Sequence, residues 1–369
     1  MRRARTAIWS AVTAIGLTGA LAVGLSPSAR ALVLPPTPAA GSGSAPASPT
    51  PAAAPVAGAD SIGSAPVVAR VAAVAAPTAD GRTGAASTAG SQAALQQFWT
   101  PARLAAATAT LPGVTGSGDT KVAAAGAAPR TGTRAMAVRF ASATTTTLKQ
   151  AYFGSSPTIG ILVYADKNMK THFCTASVVQ SPTKNLILTA AHCRPGSWVA
   201  YIPDYVSGAA VQPYGIWAVK TVYTDSHYAA TGSGTDYDYA FAKVAPDSKG
   251  RLLQNVTNGN VLTRTPSYNN WAGLTGYPEV ASASADKSVT CWNHTSKLPG
   301  YAQMQLLCGG FYSGTSGSPW LININSRTHL GQVVGVIGGL NYGGANNWTN
   351  NSPMFGNNVF SLYAYAVKH

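Results

Sequence analysis

Gly314-Thr315-Ser316-Gly317-Ser318-Pro319 is the stretch on which the reading of this chain turns. A serine that acts as a nucleophile needs a hydroxyl held clear of the backbone and a base within hydrogen-bond reach. It also needs donors aimed at the charge that develops on the substrate oxygen. Flanking glycines serve the first and last of these needs, because they permit a tight turn and a close backbone approach. Alone, the hexapeptide is equally compatible with an ordinary Gly/Ser-rich loop. Two upstream companions decide against that: Leu188-Thr189-Ala190-Ala191-His192-Cys193 and Asp236-Tyr237-Asp238-Tyr239-Ala240-Phe241. They add an imidazole and a carboxylate in the chain order His, Asp, Ser.

On these three motifs, residues from about 155 to 365 resemble the trypsin/chymotrypsin-like serine peptidases. The branch is the secreted bacterial one that includes glutamyl endopeptidases. T-A-A-H-C is highly specific, G-T-S-G-S-P is close to the family's G-D-S-G-G-P, and D-Y-A-F matches D-x-A followed by an apolar residue. The resemblance implies Ser316 as nucleophile, His192 as general base and then acid, and Asp238 as the buried carboxylate that orients the imidazole. It also implies an oxyanion hole made by the backbone N–H groups of Gly314 and Ser316. Asp238 is preferred to Asp236 because it opens the apolar alternation Ala240, Ala242, Val244. Asp236 sits among Gly234 and Thr235, where a solvated turn aspartate is expected. His172, His227, His294, His329 and His369 lack any comparable context and are expected to be structural or solvated.

Short apolar runs separated by Gly, Pro, Asn and Ser begin near Thr158 and predict an all-β barrel or sandwich. Candidate strands are Ile159–Ala165, His172–Val179, Leu186–Ala190, Trp198–Pro203, Ile216–Tyr223 and Tyr239–Val244. A second series comprises Trp271–Gly276, Ser288–Asn293, Ala302–Leu307, Pro319–Ile324, Gln332–Ile337 and Asn358–Leu362. No long amphipathic helix is expected. The two series fit the family's two six-stranded antiparallel β-barrels, the first over about 155–250 and the second over about 251–369. The active site would then lie in the cleft between them, with His192 and Asp238 from the first barrel and Ser316 from the second.

The 369-residue chain divides unevenly. Residues 1–31 combine Arg2, Arg3 and Arg5 with an apolar run from Ala7 to Leu25 and end on Ala29-Arg30-Ala31, the pattern of a secretory signal peptide. An uncleaved anchor helix is the alternative. Residues 32–139 are rich in Ala, Pro, Gly and Ser and are expected to be a largely disordered propeptide or spacer, or else a wall tether. A short helix over Ser91–Ala107 is allowed, but no core is expected there. Residues 140–369 form the expected peptidase domain. Residues 1–139 carry 11 Lys and Arg against 3 Asp and Glu, and residues 140–369 carry 14 against 8. Most of the basic excess thus lies outside the domain, which has no basic cluster interleaved with aromatics, so nucleic-acid binding is not indicated.

All four cysteines, Cys174, Cys193, Cys291 and Cys308, fall in that domain, and four cysteines allow three pairings. Secretion favours disulfides over thiols. The resemblance implies Cys174–Cys193, with Cys291–Cys308 left by default, each worth roughly 3 kcal/mol in the chain-entropy model. Zinc is a poor rival, since C-x-x-C and H-E-x-x-H are both missing. No metal or organic cofactor is expected.

For the specificity pocket the resemblance points to Gly310, Phe311, Ile337, Gly338 and Gly339. An acid at 310 would select basic side chains and a histidine at 337 would select Glu; Gly310 and Ile337 offer neither. Two further departures are Thr315, where the family has aspartate, and Gly338, where it has a serine beside the triad carboxylate. The expectation is a secreted, monomeric serine endopeptidase acting on protein or peptide with an apolar P1 residue, touching membrane only through its leader. The alternatives are a catalytically silent trypsin-fold binding module, or an esterase on the same triad.

Overall fold

The computed structural model describes residues 68–71, 88–109, 151–152, 156–279 and 287–369. The expected leader over 1–31 and the Pro-Ala segment 35–66 lie outside these residues. The described elements, in order, are β1 (Val68–Val71), α1 (Thr88–Phe98), α2 (Pro101–Ala105), β2 (Thr108–Ala109), β3 (Ala151–Tyr152), β4 (Ile159–Ala165) and β5 (Thr171–Val179). Then come β6 (Leu186–Thr189), β7 (Ser197–Pro203), β8 (Trp217–Asp225), β9 (Ala240–Val244), α3 (Leu253–Thr257), β10 (Val261–Leu262), β11 (Trp271–Gly276) and β12 (Val289–His294). The last are β13 (Ser296–Lys297), β14 (Gln303–Leu307), β15 (Pro319–Ile322), β16 (Gln332–Val336), β17 (Thr349–Pro353) and α4 (Asn357–Lys368).

Strands β7-β4-β5-β6-β9-β8 pair antiparallel in that order, and β8 pairs back onto β7 to close a six-stranded barrel. Its strands are apolar on both faces, and the two-residue period of a strand sorts them. In β4, Leu162 and Tyr164 point into the barrel interior with Cys174, Ala176, Ile187, Tyr201, Trp217 and Ala242. Ile159, Ile161, Val163 and Ala165 point outward into a second layer. That outer layer is what makes the strands read as continuous apolar runs: it is covered by α1, α2, α4 and side chains of the C-terminal half.

In the C-terminal half, β11, β12, β14, β17, β16 and β15 surround a core of Leu274, Met304, Leu306, Trp320 and Val334. They are hydrogen-bonded as two sheets. One seam between the sheets carries the Cys291–Cys308 disulfide and the bond from Asn293 Nδ2 to Leu307 O (2.9 Å). The other carries Gly338 N to Asn351 O (3.1 Å) and Val336 N to Ser352 Oγ (3.0 Å).

Two expectations need correction, and one strand lies where none is expected. Asn358–Leu362 is not a strand but lies in α4, where Val359, Leu362 and Ala366 are buried at helical spacing. Its place in the sheets is taken by β17, whose sequence Thr349-Asn350-Asn351-Ser352-Pro353 reads as a turn. The buried amides of β17 are satisfied by neighbouring backbone: Asn350 Nδ2 donates to Leu306 O and Cys308 O, and Asn351 Nδ2 to Leu340 O.

The second correction concerns the segment around Ser91–Ala107, where no core is expected. Leu95, Phe98, Trp99 and Leu104 are buried in the outer layer. Trp99 is 2% exposed and donates from Nε1 to Trp198 O (2.8 Å), while the Phe98 and Trp198 rings stack at 4.3 Å. Gln92 grips the end of β8, donating to Ile216 O and accepting from Ala218 N. Thr100 caps α2 through Arg103 N.

Trp99→Ala should therefore destabilise the intact chain by about 3–5 kcal/mol, the usual cost of deleting a buried tryptophan. Equilibrium denaturation of the unprocessed protein measures this. An unchanged midpoint would mean that residues 88–109 do not pack on the barrel in solution.

Candidate functional site

Strands β6 and β9 are neighbours with Thr189 opposite Ala240, so the segments joined to that end of the pair are brought side by side. After β6 the chain makes a short 3₁₀ turn over Ala191–Cys193 that carries His192. Before β9 a 3₁₀ segment over Gly232–Tyr237 delivers Asp238. The Cys174–Cys193 disulfide ties the histidine turn to β5.

Asp238 is 1% exposed and His192 4%. Asp238 Oδ2 lies 2.7 Å from His192 Nδ1, and Oδ1 accepts from the His192 backbone N (2.9 Å). A third donor, Gly339 N, comes from the C-terminal half at 2.7 Å from Oδ2. A buried carboxylate is tolerated only when its oxygens are satisfied, and this set does so. The bond at Nδ1 fixes the imidazole with Nδ1 protonated. Nε2 is then the basic nitrogen, and it is buried without a hydrogen-bond partner among the described residues.

Ser316 lies in the loop before β15 and is 5% exposed. The loop is pinned on both sides. Ser316 O accepts from Thr175 N (2.8 Å) in β5, and Gly314 O accepts from Thr175 Oγ1 (2.9 Å). Gly317 N donates to Ile337 O (2.7 Å), and Ile337 N returns a bond to Ser318 O (2.9 Å). Gly317 has φ +82°, and a Cβ there would lie 2.9 Å from Ala190 N, two residues before His192. Glycine is what lets the serine loop sit against the histidine turn. Gly314, at φ +92°, has no room for a Cβ either, which would fall 2.4 Å from the Phe173 ring.

The N–H groups of Thr315, Gly317 and Ser318 all donate to backbone carbonyls. Among the described residues those of Gly314 and Ser316 donate to no protein acceptor. Two uncommitted donors flanking one residue are what a developing oxyanion requires. Ser316 Oγ makes no hydrogen bond to Nε2 here; such bonds often tighten only when substrate is bound. Thr315 donates from Oγ1 to Tyr312 O (2.7 Å), so it is satisfied within its own loop.

The residues expected to form a specificity pocket are placed as follows. Phe311 and Ile337 are packed in the C-terminal core. Gly338 backs onto Asp238, where a Cβ would meet Asp238 O at 2.5 Å, so the family's serine has no space. Gly339 supplies the donor to Asp238 that such a serine would otherwise give. Gly310, at φ +86°, turns the chain just ahead of Phe311.

Asp236 is not the solvated turn residue expected. Its carboxylate accepts from Gln303 Nε2 (2.7 Å) and Ala302 N (3.1 Å), tying the first barrel to β14. No motif marks Thr175 or Tyr342, whose ring stands edge-on to His192 at 5.5 Å. Burial, reinforced by the charge of Asp238, pushes the Tyr228 phenol well up, with Arg194 opposing. Of the other histidines, His172 contacts Asp166 and His227 contacts Asp225.

The family model described as trypsin matches residues 147–364. The protease Anisep from Arthrobacter nicotinovorans is 25% identical, with a TM-score of 0.51 covering 60% of this chain and 99% of that one. The thermostable serine protease AL20 from an extremophilic microorganism is 22% identical (TM-score 0.48; 58% of this chain, 98% of that one). A Glu endopeptidase is 19% identical (TM-score 0.47; 60% and 97%). No curated protein sequence matches. With more than half of its length covered by the family model and its strands closed into the same architecture, this chain belongs to the trypsin family of serine proteases.

Proposed function

We propose that this protein is a secreted serine endopeptidase whose nucleophile is Ser316, with His192 and Asp238 completing the triad. The observation that carries this reading is a buried His192–Asp238 pair with Nε2 uncommitted, beside Ser316, whose own N–H and that of Gly314 donate to no acceptor among the described residues. Ser316 Oγ attacks the scissile carbonyl carbon as its proton passes to His192 Nε2. The carbonyl oxygen becomes an oxyanion held by the N–H groups of Gly314 and Ser316. Collapse breaks the C–N bond, and the amine leaves with the proton from Nε2. Water then attacks the acyl-serine, again giving its proton to Nε2, and the acid departs as Ser316 recovers its hydroxyl.

Asp238 stabilises the imidazolium in each step without itself taking the proton. The two disulfides support an oxidising, extracellular destination for a monomeric domain. The silent-module alternative is disfavoured because His192, Asp238 and Ser316 are all present in the chain. No newly cut N-terminus is called for, since Thr315 offers no charge to pair with an ammonium.

A serine-directed fluorophosphonate should label the folded protein at Ser316 alone. Ser316→Ala should abolish both labelling and peptidolysis, and loss of His192 should be about as severe, because triad members act as a unit. Labelling elsewhere, or none in a folded sample, would sink this reading.

Specificity follows from Gly310 and Ile337, neither of which offers a charge. Burying a charged P1 group without a partner costs several kcal/mol. Cleavage-site profiling on a peptide library should accordingly show Leu, Phe, Tyr and Met at P1 ahead of Arg, Lys and Glu. A clear preference for Glu would overturn the pocket assignment.

A further inference from the structure

Strand β5 is nine residues long, and one of its edges is covered by β4 over Thr171–Ser177. The opposite edge is filled by three partners in turn. β6 pairs with Ser177–Val179, and the nucleophile loop takes the middle through Thr175 N to Ser316 O. The start of the edge is held by β2, with Thr108 opposite His172 and Ala109 opposite Phe173. Ala109 is thus only two positions along β5 from the residue that binds Ser316. β2 runs parallel to β5, so its chain direction leads toward the nucleophile loop.

Side chains reinforce the contact. Glu279 Oε2 accepts from Ala109 N at 2.9 Å, and Glu279 N donates to Ser313 O, one residue before Gly314. Thr108 Oγ1 lies 3.3 Å from His172 Nδ1. The Phe173 ring beside Ala109 is the one that presses on Gly314. Upstream, Trp99 and Gln92 anchor the same segment to the barrel. The stretch 88–109 is therefore held at two points, one remote from the nucleophile loop and one beside it.

An extended peptide that reaches Ser316 and continues along this edge needs the positions that Thr108 and Ala109 fill. We propose that residues 107–109 are a built-in competitor for polypeptide substrate, and that the start of the β5 edge together with Glu279 is the extended-peptide site they occupy. A substrate small enough to end at the nucleophile loop is not in competition with them. A longer polypeptide must displace them, while Trp99 keeps the segment tethered for return. The proposal rests on Ser316 being the nucleophile.

The test uses the unprocessed chain and two substrates: a short acyl ester with a chromogenic leaving group, and an extended synthetic peptide with one central Leu. Ala109→Pro removes the N–H that Glu279 accepts. It should raise kcat/KM for the extended peptide about tenfold, the worth of one charge-assisted hydrogen bond, and leave the ester unchanged. In the Ser316→Ala chain, saturating extended peptide should speed hydrogen exchange at residues 107–109 and leave 92–99 as before. Equal effects on both substrates, or exchange at 107–109 unmoved by bound peptide, would overturn the proposal. Failure of the wild-type chain to react with the ester or with fluorophosphonate would instead overturn the catalytic reading beneath it.

Discussion

The carboxylate of Asp238 is the constraint that the rest of the site depends on. Burying an ionised carboxylate is costly unless donors replace the water it loses. Here the donors are His192 N, His192 Nδ1 and Gly339 N, each within 2.9 Å. Two belong to the first barrel and one to the C-terminal half, so the charge is fully satisfied only when both halves are assembled. One interaction therefore couples folding to function: it sets the imidazole tautomer and also registers one half on the other. Gly338 belongs to the same arrangement, because any side chain there would push Asp238 away. The loss of a supporting serine at that position is offset by backbone geometry.

The loop that carries Ser316 is placed by a second device, the shared edge of β5. Thr175 uses both its backbone N and its hydroxyl to hold the loop, while Ile337 grips it from the opposite side. The Cys174–Cys193 bridge connects this edge to the histidine turn. Serine and histidine are therefore positioned against the same strand by covalent and hydrogen-bonded links, with Gly317 allowing the close approach. The outer apolar layer of the barrel serves this arrangement indirectly, since α4 and residues 88–109 cover strands that must be apolar on both faces to remain in place.

Much of this was legible from the residues. The strands of the first barrel are marked by β-branched and aromatic runs bounded by turn residues, and the His and Asp motifs hold the two residues that the structure pairs, His192 and Asp238. What escaped notice did so for physical reasons. β17 is built from Asn and Ser, and its buried Asn350 amide is satisfied by Leu306 O and Cys308 O, more than forty residues earlier. Asn358–Leu362 reads as a strand because a short window of Val359, Phe360 and Leu362 fits one, whereas burial at 359, 362 and 366 follows the helical period. In 88–109, average composition argued for disorder, yet Leu95, Phe98, Trp99 and Leu104 suffice to dock a short segment onto a core supplied by the rest of the chain. Asp236 looked solvated because its partners, Ala302 and Gln303, are more than sixty residues away. Gly339 has no side chain to mark its role, and only its backbone N–H acts.

The most direct test of the account is proton NMR of the intact, folded chain, searching the far-downfield region for the Nδ1–H proton of His192 shared with Asp238. The account predicts a slowly exchanging resonance there that disappears in Asp238→Asn while the remaining spectrum keeps its folded dispersion. A folded protein lacking that resonance, or one in which it survives the Asn replacement, would contradict the claim that a buried Asp238 carboxylate organises this site.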